Sequence, residues 1–308
     1  MPDRPPFAGK RVGVFFGGIS AEREISLRTG AAAAGALRRK GYDVKEIDIR
    51  EDWLGTVRGA EVDVAFLALH GRFGEDGCIQ AACELAALPY TGSGVAASAI
   101  AMSKSLGKRV AAAAGVPCPP DAIYEGPASG EKPPPFGFPL VVKPDREGST
   151  VGVTIVRSPE QWEPALAEAA RHDSRVLAEG YVAGREITVG VLNGRVLPAI
   201  EIVPRSGFYD YRSKYTAGET EYVIPVPMDR DVLLRAAEYT RRAAQSMRLR
   251  GAARLDYRVD TAGNVFFLEA NTIPGMTETS LLPKAARFDG LAFDDLVEEI
   301  LSDAGLSK

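Results

Sequence analysis

Two carboxylates set among apolar strand residues constrain this chain more than any other feature. In RLDYRVDTAGNVFFLEANTIPGMTETS, Arg254 to Ser280, the residues Leu255, Tyr257 and Val259 alternate with Arg254, Asp256 and Arg258. Asp260-Thr-Ala-Gly-Asn264 then supplies a turn, and Val265 to Leu268 a second apolar run. This pattern predicts an antiparallel hairpin. Side chains alternate faces along a strand, so Arg254 shares a face with Asp256, and Glu269 shares one with Asn271. Pairing the strands brings Asp256, Glu269 and Asn271 together at one end of the sheet. Carboxylates beside apolar runs are costly unless ion-paired or bound to a cation. Two readings follow. Arg254 neutralises Asp256 at a sheet edge, or the three oxygen donors, with no Cys or His nearby, hold a hard cation such as Mg²⁺. The next residues, Asn-Thr-Ile-Pro-Gly-Met-Thr, form a loop rich in backbone donors, which beside a metal suits phosphate and carboxylate chemistry.

The rest of the chain has room for such a site. It has 308 residues, 45% hydrophobic and 25% charged, enough for two or three globular domains. A net charge of −4 with both signs interspersed argues against a nucleic-acid partner. No apolar run reaches spanning length and the N-terminus lacks a signal-peptide pattern, so no membrane role is expected. Met1 to Gly9 reads as a disordered polar tail. The three cysteines have no metal spacing. Cys78 and Cys83 read as small core residues and Cys118 as a loop residue, which fits a reduced cytoplasmic compartment.

Arg11 to Phe16 reads as a strand broken by Gly17-Gly18, with a helix from Ser20 to about Lys40. Ser20 is the expected N-cap, with an incomplete capping box. Glu22 in the first turn either complements the helix dipole or receives a ligand ammonium. Tyr42 to Ile49 and Val62 to Leu69 continue a βαβ pattern, hence a parallel sheet. The last strand runs into His70-Gly-Arg-Phe-Gly-Glu-Asp-Gly, at the carboxyl end where open sheets bind ligands, and His70 is the candidate there. Gly92-Ser-Gly-Val-Ala-Ala97 satisfies a dinucleotide fingerprint, but its preceding strand is too short and no acidic residue follows at the required distance. No Walker A pattern occurs.

From about Val95 the composition shifts to an Ala-rich helix over Ala101 to Ala114, with Lys104 and Lys108 four residues apart. Gly126 to Gly137 reads as a loop without chemistry. Leu140 to Lys143, the loop Asp145 to Thr150, and Val151 to Val156 form a strand–loop–strand unit. The loop is either a plain turn or a phosphate lid, and a buried-side Lys143 needs an anion, which favours the lid. A helix over Pro159 to His172 and a strand over Arg175 to Val182 follow. Ile187 to Val191 and Arg195 to Val203 flank Asn193-Gly194, a strong hairpin signal. Phe208 to Thr220 is a long polar, aromatic loop of the kind that is usually functional. Helices are expected over Asp229 to Arg248 and Leu291 to Asp303.

Taken together, GGISAERE, HGRFGEDG, VVKPDREGST, RLD and LEANTIPGMT resemble the D-alanine–D-alanine ligases of the ATP-grasp superfamily, in family order over nearly the whole chain. The sequence departs with Asp145 and Thr150 where serines are usual, which would put Asp145 near phosphates. The resemblance implies an α/β fold of three-domain ATP-grasp architecture with an N-terminal parallel-sheet domain: residues 1–93, 94–181 and 182–308, with ATP between the last two. It implies that one D-alanine is phosphorylated by ATP on its carboxylate and that the amine of a second displaces phosphate, for peptidoglycan precursor synthesis. In that reading Asp256, Glu269 and Asn271 hold two Mg²⁺ ions, with Mn²⁺ as a substitute. Lys104, Lys143 and Lys214 neutralise phosphates. Ser149 and Thr150 lie in the lid, Glu179, Gly180, Tyr181 and Val182 at the adenine edge, Glu186 at the ribose, and Phe208 in the second lid. Glu22 and His70 orient the first substrate, Arg254 and the Gly275 backbone face the oxyanion, and Ser280 and Leu281 hold the second substrate. Ser149 and Tyr215, linked to Glu22, latch the lid. The family also implies a homodimer. The alternatives are another ATP-grasp ligase, such as a D-alanine–D-lactate ligase, and a catalytically silent nucleotide-binding module.

Overall fold

Three β-sheets carry the apolar strands in a computed structural model that describes residues 6–126, 131–205, 218–278 and 280–308. The first sheet has strands β1 (Arg11–Gly17), β2 (Asp43–Ile49) and β3 (Val64–Leu67), all parallel in the order β2-β1-β3. β1 is buried from Val12 onward, as a central parallel strand must be. Helix α1 (Arg23–Arg39) crosses from β1 to β2. It begins later than Ser20 because Ser20 Oγ donates to the His70 carbonyl at 2.7 Å, and Glu22 becomes the N-cap. Gly17 has φ +89° and a Cβ there would lie 2.0 Å from Asp48 Oδ1, so the break after β1 requires glycine.

Helices α2 (Trp53–Arg58) and α3 (Cys78–Leu85) are too short for the periodicity to predict. Cys83 is buried as expected, whereas Cys78, at the start of α3, is exposed. The Ala-rich run forms two helices, α4 (Val95–Met102) and α5 (Lys104–Ala113), rather than one. They break at Ser103, whose backbone is extended (φ −85°, ψ 108°).

The second sheet is antiparallel, in the order β4-β7-β5-β6, with β4 (Asp121–Glu125), β5 (Leu140–Pro144), β6 (Thr154–Val156) and β7 (Arg175–Gly180). Helix α6 (Trp162–Ala170) covers it, seating Trp162 and Leu166 on Leu140, Val142 and Val176. β6 starts three residues later than the apolar run, because the turn after β5 extends through Gly152. Ser149 and Thr150 have left-handed φ of +54° and +62°. Such backbone in non-glycine residues is held by its surroundings.

The third sheet is antiparallel, in the order β10-β9-β8-β11-β12. Its strands are β8 (Gly184–Leu192), β9 (Arg195–Pro204), β10 (Thr220–Val223), β11 (Ala252–Asp260) and β12 (Val265–Asn271). The β8–β9 hairpin turns on Asn193 and Gly194 at φ +48° and +81°, the signs its turn type requires. Helix α7 (Arg230–Ser246) and α5 pack on one face, where Val189, Leu255, Tyr257 and Phe267 meet Ala111, Ala236 and Ala243. On the other face lie α8 (Leu281–Phe288) and α9 (Phe293–Ser302). That layer merges with α1 and β1 into one core: Val12, Val14 and Leu37 belong with Ile200, Leu282, Leu296 and Ile300. Among the described residues, no helix is long and apolar enough to cross a membrane.

Candidate active site

The β11–β12 register sets the centre. Arg254 pairs with Asn271 and Asp256 with Glu269, with a bulge after Asp256. The alternation therefore brings Arg254, Asp256, Glu269 and Asn271 to one end of one face. Asp256 is buried, accepts from Thr188 Oγ1 at 2.5 Å, and meets both Arg254 Nε and an Arg254 terminal nitrogen, at 3.1 and 3.2 Å. Lys104 Nζ lies 3.2 Å from Glu269 Oε2 and donates to the Glu147 carbonyl at 2.6 Å. The Arg254–Asp256 ion pair is therefore real, but it does not lie at a sheet edge, because β11 pairs with both β8 and β12. It leaves the oxygen set together, two carboxylates and one amide, which is the donor chemistry of a hard divalent cation. Among the described residues there is no cluster of three or more His, Cys, Asp or Glu that could hold a metal.

On one side of this centre is a cavity lined by Glu22, His70, Glu75, Ser149, Arg254, Asn271, Gly275, Ser280 and Leu281. Ser149 Oγ donates to Glu22 Oε1, joining the loop after β5 to the start of α1. His70 is buried, with Nε2 3.0 Å from Thr29 Oγ1. Burial pushes its pKa down, and the Glu22 charge opposes this. Ser280 Oγ accepts from the Thr277 N–H at 3.1 Å, and a Cβ on Gly275 would come within 3.0 Å of that oxygen. Glu75 was not singled out from the sequence, although HGRFGEDG contains it. It accepts from the Gly71 N–H at 2.7 Å. Burial, with help from the Glu22 charge, pushes its carboxyl up to about 8.

On the other side is a cavity lined by Lys143, Thr150, Glu179, Gly180, Tyr181, Val182, Glu186 and Arg258. Lys143 does face an anion, and it is a protein one: Nζ donates to Glu179 Oε1 at 2.5 Å. Lys108, unassigned in the sequence, donates to Glu179 Oε2 at 2.8 Å and lies 3.2 Å from Asp121. Burial works against the Glu179 charge, but Lys143 and Lys108 outweigh it and hold the carboxyl below the usual range. Arg258, also unassigned, donates to the Val182 and Gly184 carbonyls at 3.1 and 2.7 Å and lies 3.4 Å from Glu186. The two cavities meet at Lys104, Glu147, Gly148, Ser149 and Glu269. One expectation is overturned: the Asp145 carboxylate is fully buried against Ser103 and Ser105 and faces neither cavity. Phe208, Lys214 and Tyr215 lie outside the described residues.

Comparison with known proteins gives the family. Residues 55–93 match the family described as D-ala D-ala ligase N-terminus, and residues 130–302 the one described as D-ala D-ala ligase C-terminus. The D-alanine–D-alanine ligase of Syntrophotalea carbinolica is 50% identical over 301 residues, covering 97% of each chain. The Bacillus anthracis D-alanine–D-alanine ligase solved with ATP superposes with a TM-score of 0.83 at 30% identity, covering 96% of this chain and 97% of that one. The VanG D-Ala:D-Ser ligase of Enterococcus faecalis gives 0.84 at 28% identity, covering 95% and 98%. With both halves matched and identity this high over nearly its full length, the chain belongs to the D-alanine–D-alanine ligase family.

Proposed function

We propose that the chain joins two D-alanine molecules to D-alanyl-D-alanine, converting ATP to ADP and phosphate, as a step in making peptidoglycan precursors. The observation that carries this reading is the junction of the two cavities at Lys104 and Glu269. A phosphate donor in one cavity and a carboxylate acceptor in the other would meet beside Arg254. One D-alanine carboxylate oxygen attacks the γ-phosphorus of ATP and ADP leaves. The amine nitrogen of the second D-alanine then attacks the acyl-phosphate carbonyl, loses its proton, and phosphate departs.

Charge gathers first on phosphoryl oxygens and then on a tetrahedral oxyanion, so placed cations and N–H donors supply most of the rate. Lys104 and Lys143 face the phosphates, with Lys214 from the second lid. Thr150 belongs to the first lid, the 179–182 backbone meets the adenine, Glu186 meets the ribose, and Phe208 lies against the nucleotide. Arg254 and the Gly275 N–H face the oxyanion. Glu22 and His70 orient the first D-alanine, and Ser280 and Leu281 the second. The Ser149–Glu22 hydrogen bond latches the lid, completed by Tyr215. Asp256, Glu269 and Asn271 would hold two Mg²⁺ or Mn²⁺ ions, which when bound neutralise phosphoryl charge. In this reading the chain divides at residues 1–93, 94–181 and 182–308, works in the cytoplasm, and forms a homodimer.

The test is phosphate release from Mg-ATP with D-alanine added or withheld, with products separated by mass. Release that depends on D-alanine, with the dipeptide as product, is expected. Under equal D-alanine and D-lactate at neutral pH, a predominance of the depsipeptide would overturn the acceptor assignment and leave the ligase reading intact. ATP binding without any product would point to a silent nucleotide-binding module.

A further inference from the structure

Asp145 opens the loop after β5, yet its side chain turns back to the break between α4 and α5. Ser103 Oγ donates to Asp145 Oδ2 at 2.6 Å, and the Ser105 N–H donates to Oδ1 at 2.7 Å. The Lys104 N–H donates to the Asp145 carbonyl at 3.0 Å, and the Leu106 N–H reaches Ser103 Oγ at 3.3 Å. A helix leaves its first N–H groups without intrahelical partners, and a negative charge at that end complements the dipole. Here two of these groups are satisfied by the first residue after β5 of the second sheet. Arg175 Nε, 3.6 Å from Oδ2, adds a positive neighbour to the buried carboxylate.

Lys104 is the first residue of α5, so whatever fixes this turn fixes the root of the Lys104 side chain. Its backbone is held by Asp145, and its ammonium lies against Glu147 and Glu269. α5 packs on β12, the strand that carries Glu269. The Asp145 cap therefore ties the second sheet to the third at Lys104, the lysine that both cavities share among the described residues.

We infer that Asp145 is a positioning residue for nucleotide binding: through Ser103 and the first turn of α5 it aims Lys104, without itself touching substrate. The inference rests on the proposed role of Lys104 at the phosphates.

The test is a reciprocal exchange. Asp145→Ser removes the cap, and Ser103→Asp sets two carboxylates face to face. Combined, they restore a carboxylate–hydroxyl pair, because aspartate at an N-cap accepts from its own first turn. Calorimetric titration with a non-hydrolysable ATP analogue and Mg²⁺ should show each single variant binding about tenfold more weakly, the factor for one cap-sized interaction. The combined variant should return to within about threefold of wild type, a non-additivity expected only of direct partners. The KM for ATP should follow affinity, and the KM for D-alanine should stay within about twofold. Thermal melts monitor folding, and Asp145→Asn serves if Asp145→Ser does not fold. Wild-type affinity in the capless variant, losses confined to kcat, or an exchange no better than the weaker single would overturn the inference. A wild type that binds no ATP analogue would instead remove the nucleotide reading, and the inference with it.

Discussion

The two cavities of this site store charge in opposite ways. In the one lined by Lys143 and Glu179, two buried lysines face two carboxylates in an unbroken chain, Asp121–Lys108–Glu179–Lys143, with neighbouring charges 3.2, 2.8 and 2.5 Å apart. In the one lined by Glu22 and His70, burial is not matched by counter-charge. The Glu75 carboxyl is pushed up and the His70 imidazole down, so both are driven toward neutrality. The first arrangement suits a polyanion, because its cations are ordered before the ligand arrives and need no reorganisation. The second suits an amino acid whose ammonium and carboxylate supply their own charge. What separates them is the hairpin end, where Lys104 and Glu269 belong to both.

The largest expected effect is at that shared end. Glu269→Gln preserves shape and removes one charge from the oxygen set, and it should lower kcat by about 10²–10³-fold, the range for losing one transition-state contact. Thermal stability should change little, since Glu269 is only half-buried. Near wild-type phosphate release at saturating Mg²⁺ would show that the hairpin carboxylates do not hold the cation.

Next comes the balanced chain. Lys108→Met keeps the volume, removes the Asp121 partner and leaves Glu179 with Lys143 alone, and breaking such a buried pair costs about 3–5 kcal/mol. Denaturant unfolding should show that loss, together with a raised KM for ATP. Lys108→Met combined with Asp121→Asn should recover part of the stability, because one stranded charge is gone. Equal unfolding midpoints for wild type and Lys108→Met would mean that the chain carries no net energy.

The smallest effect is a pH slope on the unbalanced side. The folded pKa of Glu75, about 8, lies above its ordinary value of 4.5. Such a group contributes stability in full below its unfolded pKa and loses it as pH rises through the folded one. Thermal stability should therefore decline between about pH 5 and pH 9, and Glu75→Gln, which cannot ionise, should flatten the decline. His70 acts in the other direction and only near and below its ordinary value of 6.5, so it does not mask the upper part of the window. Parallel slopes for the two proteins would place the titration elsewhere.

What the sequence discloses follows from how local each determinant is. The hairpin was legible because alternation, turn composition and apolar runs all lie within one stretch, and pairing then dictates which side chains meet. Asn193-Gly194 was legible for the same reason. The break at Ser103 was not, because it depends on Asp145, forty-two positions away in sequence, and an Ala-rich run gives no local sign of a stop. Asp145 itself was misplaced by adjacency: a residue next to a phosphate-type loop was expected to face phosphate, whereas its side chain points the other way. Lys108 shares its helical face with Lys104, but only the fold brings Asp121 and Glu179 to it. Glu75 stood in plain sight within HGRFGEDG, and what hid its importance is burial, which composition does not report.

The shared core of the first and last helices has a bearing on how the protein is made. Arg39 pairs with Asp294 at 2.6 Å, Lys40 with Glu298 at 3.0 Å, and Tyr42 donates to Glu298 at 2.9 Å, all around Leu37, Leu296 and Ile300. A ribosome releases α1 well before α9. Until then the apolar side of α1 and the first sheet has no permanent cover, although every strand of that sheet has already emerged. A sheet made before α9 is therefore covered only once α9 arrives, and nascent chains halted short of α9 should depend on chaperones far more than chains that include it.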